Sequence, residues 1–407
     1  MLVACTPQPQ PTLPPSPANN TDTDTDTDTD TVAAAPDEAL FRGAVDGSLD
    51  AAAAFAQIGE RGGFPVETSS GTWLFGCFCG EGDWYLAGDH DDWSGALLTR
   101  AGDLHWIEAT ILVADGSGYK FTDLDSTWSA DPLARRYNYD DYGEYSLVRS
   151  SAAHLERWVG VSYGALLPRE LFVWVPDAGT YTHLLLAHDG QNLFNPAASW
   201  GGWRLQESLP PGVLVVGVEN TADRLDEYTH TTDTIHGTEH GGAADAYLDM
   251  LDGAVRPLAE SAYGSPEVVG VMGSSLGGLV SFYAAWRNPD RYDMAISLSG
   301  TMGWGSIGQD GETIIDLYAA SGHQDVSLFL DSGGDGPCED TDGDGISDDS
   351  AESSDNYCEN IQLRDVLDSI GYTFGNDLWH WHAPGEPHNE AAWAARVSRP
   401  LDAFSAL

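Results

Sequence analysis

Residues 268–285 read VVGVMGSSLGGLVSFYAA. An apolar run enters a corner of small residues, and a helical pattern leaves it. The pentapeptide G-x-S-x-G fits there only on Gly273, Ser275 and Gly277. Centring it on Ser274 would need glycines where Met272 and Leu276 stand. In such a strand-to-helix turn the serine is held under strain, and the flanking glycines remove side chains that would meet the adjoining strand and helix. The hydroxyl then projects at the N-terminus of the helix, whose dipole favours developing negative charge. The bland alternative is close packing of strand on helix. The apolar strand before and the helix after favour Ser275 as a nucleophile.

The same alternation runs on both sides of the corner. From residue 152 onward, the segments LFVWV, HLLLAH, VLVVGV, MAISLS, VSLFL and LWHWH are separated by helical stretches, including 243–260 and 277–286. Several are apolar on both faces, as a buried parallel sheet requires. The pattern predicts an α/β domain over 151–407 with a doubly wound sheet. Residues 37–60 predict short helices broken at Gly47 and Gly59. Residues 73–149 carry short alternating strands (WLFGCF, DWYLAG, HWIEATILV, GYKFTDL, YSLV), which predict a small antiparallel sandwich in a 37–150 module.

A serine hydroxyl needs a base, and the base an orienting acid. In the order nucleophile, acid, histidine, only His380, His382 and His388 lie late enough. His380 and His382 alternate with tryptophans in a strand, where sheet packing explains them. His388 follows the turn Ala383-Pro384-Gly385-Glu386-Pro387 and is the expected base. The acid should follow VSLFL: Asp335 is the first choice, Asp331 the second, and Glu339 lies farther on. The oxyanion needs backbone donors. The expected ones are the N–H of Leu276 and, after HLLLAH, that of Gln191, with Gly190 allowing close approach.

The 407 residues include 14 Trp, 16 Tyr and 12 Phe, enough for a large core. They also include 64 acidic against 17 basic residues, a net charge of −47. Such a surface repels nucleic acid and anionic lipid, so neither partner is expected. No run is long enough to span a bilayer. Leu2-Val3-Ala4-Cys5 has the shape of a bacterial lipidation site, although the basic and apolar parts of a signal peptide are missing before it. Residues 6–31 are Pro-rich and then a Thr-Asp repeat, a solvated tether. Residues 1–36 therefore predict an exported lipoprotein, periplasmic or on the cell surface, touching membrane only through a lipid on Cys5. Of the other cysteines, Cys338 and Cys358 bracket one acidic loop and form the expected disulfide, worth roughly 3 kcal/mol through chain entropy. A bridge between Cys77 and Cys79, two apart in an apparent strand, is expected to be strained. No second Cys/His pair suits a zinc site.

Within that loop, Asp340, Asp342, Asp344 and Asp348 stand at positions 1, 3, 5 and 9, Ile346 at 7 offers a carbonyl, and Gly345 at 6 permits the turn. This is calcium-loop spacing and resembles dockerin and thrombospondin type 3 loops. Position 12 is Ala351, so a further ligand would come from Asp349 or Glu352. The expected calcium is structural, and no cofactor is expected in the chemistry.

The pieces LLLAHDGQNLF, GSSLGGL, WRNPDRY and PGEPHNEAAW together resemble the enterochelin esterase and feruloyl esterase group of α/β-hydrolases. That resemblance implies an α/β-hydrolase fold and a triad of Ser275, Asp335 and His388, although the chain departs from the group in the insertion after Asp335. WYLAGDHDDW, GYKF and WSADP resemble the immunoglobulin-like early-set, glycogen-binding-like modules. There the positions matching Trp93, Lys120 and Trp128 bind glucose rings; the competing view makes these tryptophans core or interface. The expected function is a serine carboxylic-ester hydrolase acting through an acyl-enzyme. Its substrate is a siderophore ester or a polysaccharide-linked ester, the second better suited to an acidic, tethered, module-bearing chain. The alternative is a non-catalytic surface protein that binds carbohydrate.

Overall fold

The computed structural model describes residues 36–349 and 355–407. Cys5, the Thr-Asp tract, Ala351 and Glu352 lie outside the described residues.

The strands of the C-terminal part are numbered here β1 His154–Val161, β2 Arg169–Val175, β3 His183–His188, β4 Val213–Val218, β5 Val268–Ser274, β6 Met294–Leu298, β7 Ser327–Ser332 and β8 Leu378–His382. They lie in the order β1-β2-β4-β3-β5-β6-β7-β8. The pairings of β2 with β1 and β4 are antiparallel; β3 pairs parallel with β4 and β5, and β5 through β8 continue parallel. Because strand side chains alternate, β3 sends Leu184 and Leu186 to one face, and Leu185 and Ala187 to the other. On the first face they meet the helices over 244–263, Leu276–Arg287, Ile314–Ser321 and Tyr357–Ser369. On the second they meet the terminal helix Ser398–Phe404 through Leu401 and Phe404. Both faces are covered, which explains why these strands read as unbroken apolar runs.

Before this domain, two antiparallel sheets face each other. One contains Val66–Glu67, Trp73–Cys77, Leu104–Ala109 and Thr99–Ala101. Its Trp73 and Phe75 share a core with Leu86, Tyr119 and Phe121 of the other. The second sheet does not stop at the expected domain boundary. Its strand Arg136–Asp140 pairs antiparallel with β1, Leu155 opposite Tyr137, so the sheet runs continuously into the C-terminal part.

The lead-in helices are Pro36–Asp46 and Ala51–Arg61; Phe41, Phe55 and Ile58 pack them on Leu74 and Leu104. Gly47, with φ 78°, ends the first. Gly59 does not break the second, contrary to expectation. It lies inside the helix, where a Cβ would already touch Leu133 and Val159 at 3.4 and 3.5 Å.

Candidate active site

The corner at Ser275 forms because only small residues fit around it. Ser275 adopts φ 55°, ψ −126° between β5 and the helix that starts at Leu276. A Cβ on Gly273 would sit 2.6 Å from the carbonyl carbon of Gly277, and one on Gly278 2.3 Å from the Ser297 hydroxyl. Strain of this kind persists only where surroundings over-determine it. Here the Ser275 N–H donates to Leu298 O at 3.0 Å, and its carbonyl accepts from Leu279 and Thr301 at 3.1 Å each. The Ser275 Oγ lies 3.3 Å from the Thr301 hydroxyl.

Ser275 and His388 line one cavity of about 330 Å³, together with Asp189, Trp200, Arg224 and Glu390. His388 lies in the loop after β8, one residue before Asn389, whose side chain caps the helix Glu390–Ala394 by accepting from Ala392 N–H. The Trp393 ring holds the imidazole edge-to-face, centroids 5.0 Å apart.

The carboxylate on His388 is Asp355, not the expected Asp335. Asp355 Oδ1 lies 2.7 Å from His388 Nδ1. Its Oδ2 accepts from the Ser299 hydroxyl at 2.7 Å, from Gly333 N–H, and from Arg396 Nη2 at 3.3 Å. Asp335 instead faces solvent and accepts only from the N–H of its neighbour Gly336 among the described residues. Asp331 is also elsewhere: it is fully buried against Arg396 Nε at 2.9 Å, and burial pushes its pKa up to about 6. The insertion after β7 thus leaves the sheet and returns, and the acid arrives at its far end. The Cys338–Cys358 disulfide joins the two ends, with Cα atoms 5.3 Å apart. Asp355, Arg396 and Thr301 were not singled out from sequence. The one available signal for Asp355 was its place just before the helix Tyr357–Ser369.

One oxyanion candidate, Gln191, sits in the turn after β3. Asp189 takes φ 57°, and a Cβ on Gly190 would come within 2.4 Å of the Gly217 carbonyl carbon, so the turn can lie against β4 only with glycine there. Asp189 anchors it: Arg224 donates from Nε at 2.7 Å and Nη2 at 2.8 Å, and Asn220 Nδ2 adds a third bond at 2.5 Å. Burial works against the Asp189 charge, but Arg224 outweighs it and holds the carboxyl below its usual range. Gln191 Oε1 accepts from Asn220 N–H at 3.3 Å, and Leu276 is the first residue of its helix, where backbone N–H groups lack intrahelical partners.

Trp93, Lys120 and Trp128 come together far along the sheet from this cavity, lining a separate cleft of about 750 Å³ with Asp89, Asp140 and Tyr145. The two indoles lie 6.2 Å apart at 46°, Trp93 Nε1 donates to Asp89 at 3.0 Å, and Lys120 Nζ donates to the Tyr142 carbonyl at 3.0 Å. In the acidic loop, Asp340, Asp342 and Asp344 offer oxygens within 4.8 Å of one another. Ile346 is buried, while Asp348 turns away to accept from Thr341 N–H at 2.8 Å and from its hydroxyl. The three converging carboxylates suit a hard cation; Asp348 would have to swing to join them. Cys77 and Cys79, whose pairing the sequence left open, are bonded. Cys77 ends its strand, so the chain turns out of the extended path and brings the Cα atoms to 5.2 Å, inside the usual disulfide range.

Residues 164–398 match the family described as Putative esterase. The chain belongs to that family. Among curated relatives, the uncharacterized protein YbbA of Bacillus subtilis is 30% identical over 131 residues, 31% of this chain and 52% of that protein. The siderophore triacetylfusarinine C esterase of Aspergillus fumigatus is 27% identical over 96 residues, 23% of this chain and 33% of that protein. The chain thus spans about half and about a third of these curated relatives. The enterobactin esterase of Shigella flexneri superposes with a TM-score of 0.46 at 16% identity, over 82% of this chain and 93% of that one.

Proposed function

We propose that the chain is a serine carboxylic-ester hydrolase working through an acyl-enzyme. The observation that carries this is the strained Ser275 sharing a cavity with His388, whose far nitrogen is held by buried Asp355. His388 Nε2 takes the Ser275 proton as Oγ attacks the ester carbonyl, and returns it to the leaving alcohol. Water, deprotonated by the same nitrogen, then releases the acid. Asp355 fixes the tautomer with the proton on Nδ1, and the N–H groups of Leu276 and Gln191 receive the oxyanion. Rotation of Ser275 Oγ from Thr301 toward His388 completes the array. A non-catalytic role leaves the strain at Ser275 and the buried carboxylate without purpose. Hydrolysis of p-nitrophenyl butyrate by wild type and its loss in Ser275→Ala test the proposal; equal rates would end it.

The names of the relatives favour a siderophore-type ester. The cleft around Trp93, Lys120 and Trp128 favours a glycan-linked one, because paired indoles with flanking carboxylates suit a polyhydroxylated ring; the early-set kinship of the module belongs to this second proposal. Binding of soluble α-glucan by wild type but not by Trp93→Ala would support it. Calcium held by Asp340, Asp342, Asp344 and the Ile346 carbonyl would supply charge neutralisation to the loop that ends in Asp355; a Tm lowered by chelator and restored by calcium is the expected sign. The two disulfides favour an oxidising compartment, consistent with export and an anchor at Cys5.

A further inference from the structure

The cavity around Ser275 has a charge and an aromatic character that bear on which esters enter it. Its walls carry two carboxylates, Asp189 and Glu390, and among the described residues lining it Arg224 is the one formal cation beside the imidazole. Arg224 commits both Nε and Nη2 to Asp189. That pair is neutral as a unit and is held by Asn220 as well. Glu390 is different. Its Oε1 accepts from the uncharged amide of Asn192 at 3.3 Å, and no Lys or Arg within the described residues reaches it. Its negative charge therefore stands uncompensated in the cavity that holds Ser275 and His388. Glu390 also opens the helix Glu390–Ala394, but a helix of five residues asks little of an acid there.

Three indoles line the same cavity: Trp200, Trp203 and Trp393. Trp203 and Trp393 are buried and pack on each other, centroids 5.8 Å apart. Trp200 is not part of that packing. It is 72% exposed, and its backbone takes φ 54° to place it at the mouth. A large exposed ring in a strained conformation is a poor structural choice and a good contact surface. An indole face attracts cations through its quadrupole, and a nearby unpaired carboxylate strengthens the same preference.

We propose that this cavity selects esters bearing positive charge near the scissile bond, takes uncharged esters less well, and rejects anionic ones, with Glu390 and Trp200 as the specificity-determining residues. The inference rests on the ester-hydrolase proposal above and adds the substrate class. It sets ferric complexes of catecholates, which are multiply anionic, outside the preferred range. It leaves neutral hydroxamate complexes and amine-bearing esters inside.

The test uses three acetyl thioesters of matched shape: acetylthiocholine, its uncharged tert-butyl isostere, and a sulfonate-ended analogue, with kcat/KM read by thiol release at low ionic strength. Wild type should rank them cationic, neutral, anionic, with the first favoured over the last by roughly tenfold or more, and added salt should compress that ratio. Glu390→Gln should shrink the cationic-to-anionic ratio by roughly 3- to 10-fold, the effect expected of one half-exposed charge several ångströms away. Trp200→Leu should lower the cationic-to-neutral ratio by roughly threefold while leaving the neutral-to-anionic ratio in place. An anionic ester used as well as the neutral one, or a ratio unmoved by Glu390→Gln, overturns the charge preference while the esterase stands. Absence of turnover on all three by protein that hydrolyses p-nitrophenyl butyrate overturns the inference alone. Absence of turnover on that ester as well, or turnover that survives in Ser275→Ala, removes the ester-hydrolase proposal and this inference with it.

Discussion

Replacing Asp355 by Asn changes one oxygen to an NH2 group and keeps the shape. The surroundings dictate which way the amide turns. Three donors converge on Oδ2, from Ser299, Gly333 and Arg396, while His388 Nδ1 faces Oδ1. The amide oxygen must take the Oδ2 place, since an NH2 group there would meet three donors. The NH2 then points at His388 Nδ1 and forces that nitrogen to accept. The ring proton moves to Nε2, the atom that must receive the Ser275 proton, and general-base catalysis stops. The same inversion in a serine protease triad costs about 10,000-fold in kcat, about 5.5 kcal/mol of barrier. Asp335→Asn, at an exposed carboxylate bonded among the described residues only to its own turn, should stay within about twofold. The assay is steady-state hydrolysis of p-nitrophenyl butyrate, with urea midpoints to show that both variants are folded. Arg396 keeps Asp331 as a partner in the Asp355→Asn variant, so the midpoint should move little. Full activity in Asp355→Asn, or its loss in Asp335→Asn, would refute the assignment.

The Cys338→Ser/Cys358→Ser double variant should lose roughly 3 kcal/mol in urea unfolding, because the bridge closes a 20-residue separation, and should lose kcat more than it raises KM, because Asp355 hangs three positions before one of the cysteines. His188 is buried beneath the elbow, its Nδ1 2.8 Å from the Tyr247 hydroxyl, and burial pushes its pKa down to about 3. The unfolded chain binds that proton below about pH 6.5 and the folded one does not, so stability falls on acidification through this window. Between about pH 7 and about pH 5 the His188 contribution to this loss is about 2 kcal/mol, partly offset by buried Asp331, whose raised pKa acts in the opposite direction over the same window. The difference between wild type and His188→Gln in urea titrations should therefore change by about that amount. Gly190→Ala drives a methyl to 2.4 Å from the Gly217 carbonyl carbon and displaces the oxyanion turn; kcat should drop roughly 100-fold with KM much less affected.

Ser275 is legible in sequence because its constraints are local. The two glycines that would collide, Gly273 and Gly278, lie within three residues of it, and the strand and helix around it have strong periods. His388 follows from chain order and from its loop after the last strand. Asp355 is different, since its place depends on which end of the insertion comes back to β7. In so acidic a chain, only its place just before the helix Tyr357–Ser369 sets it apart from its neighbours. The pair Asp331 and Arg396 also hides from sequence: one lies next to the end of β7 and the other precedes the last helix, 65 positions apart, and only the fold joins them. The continuous sheet was missed for a related reason. Arg136–Asp140 is not among the strands expected from the sequence, and nothing local shows that its partner Leu155 belongs to the next domain.

The central claim is that Ser275 is a nucleophile activated by His388. It is tested most directly by treating the protein with a fluorophosphonate and locating the adduct by peptide mass spectrometry. The expected result is stoichiometric labelling of the Ser275 peptide with parallel loss of esterase activity, no labelling in Ser275→Ala, and strongly slowed labelling in His388→Ala. A label on another residue, or ester turnover that continues with Ser275 fully modified, would contradict it.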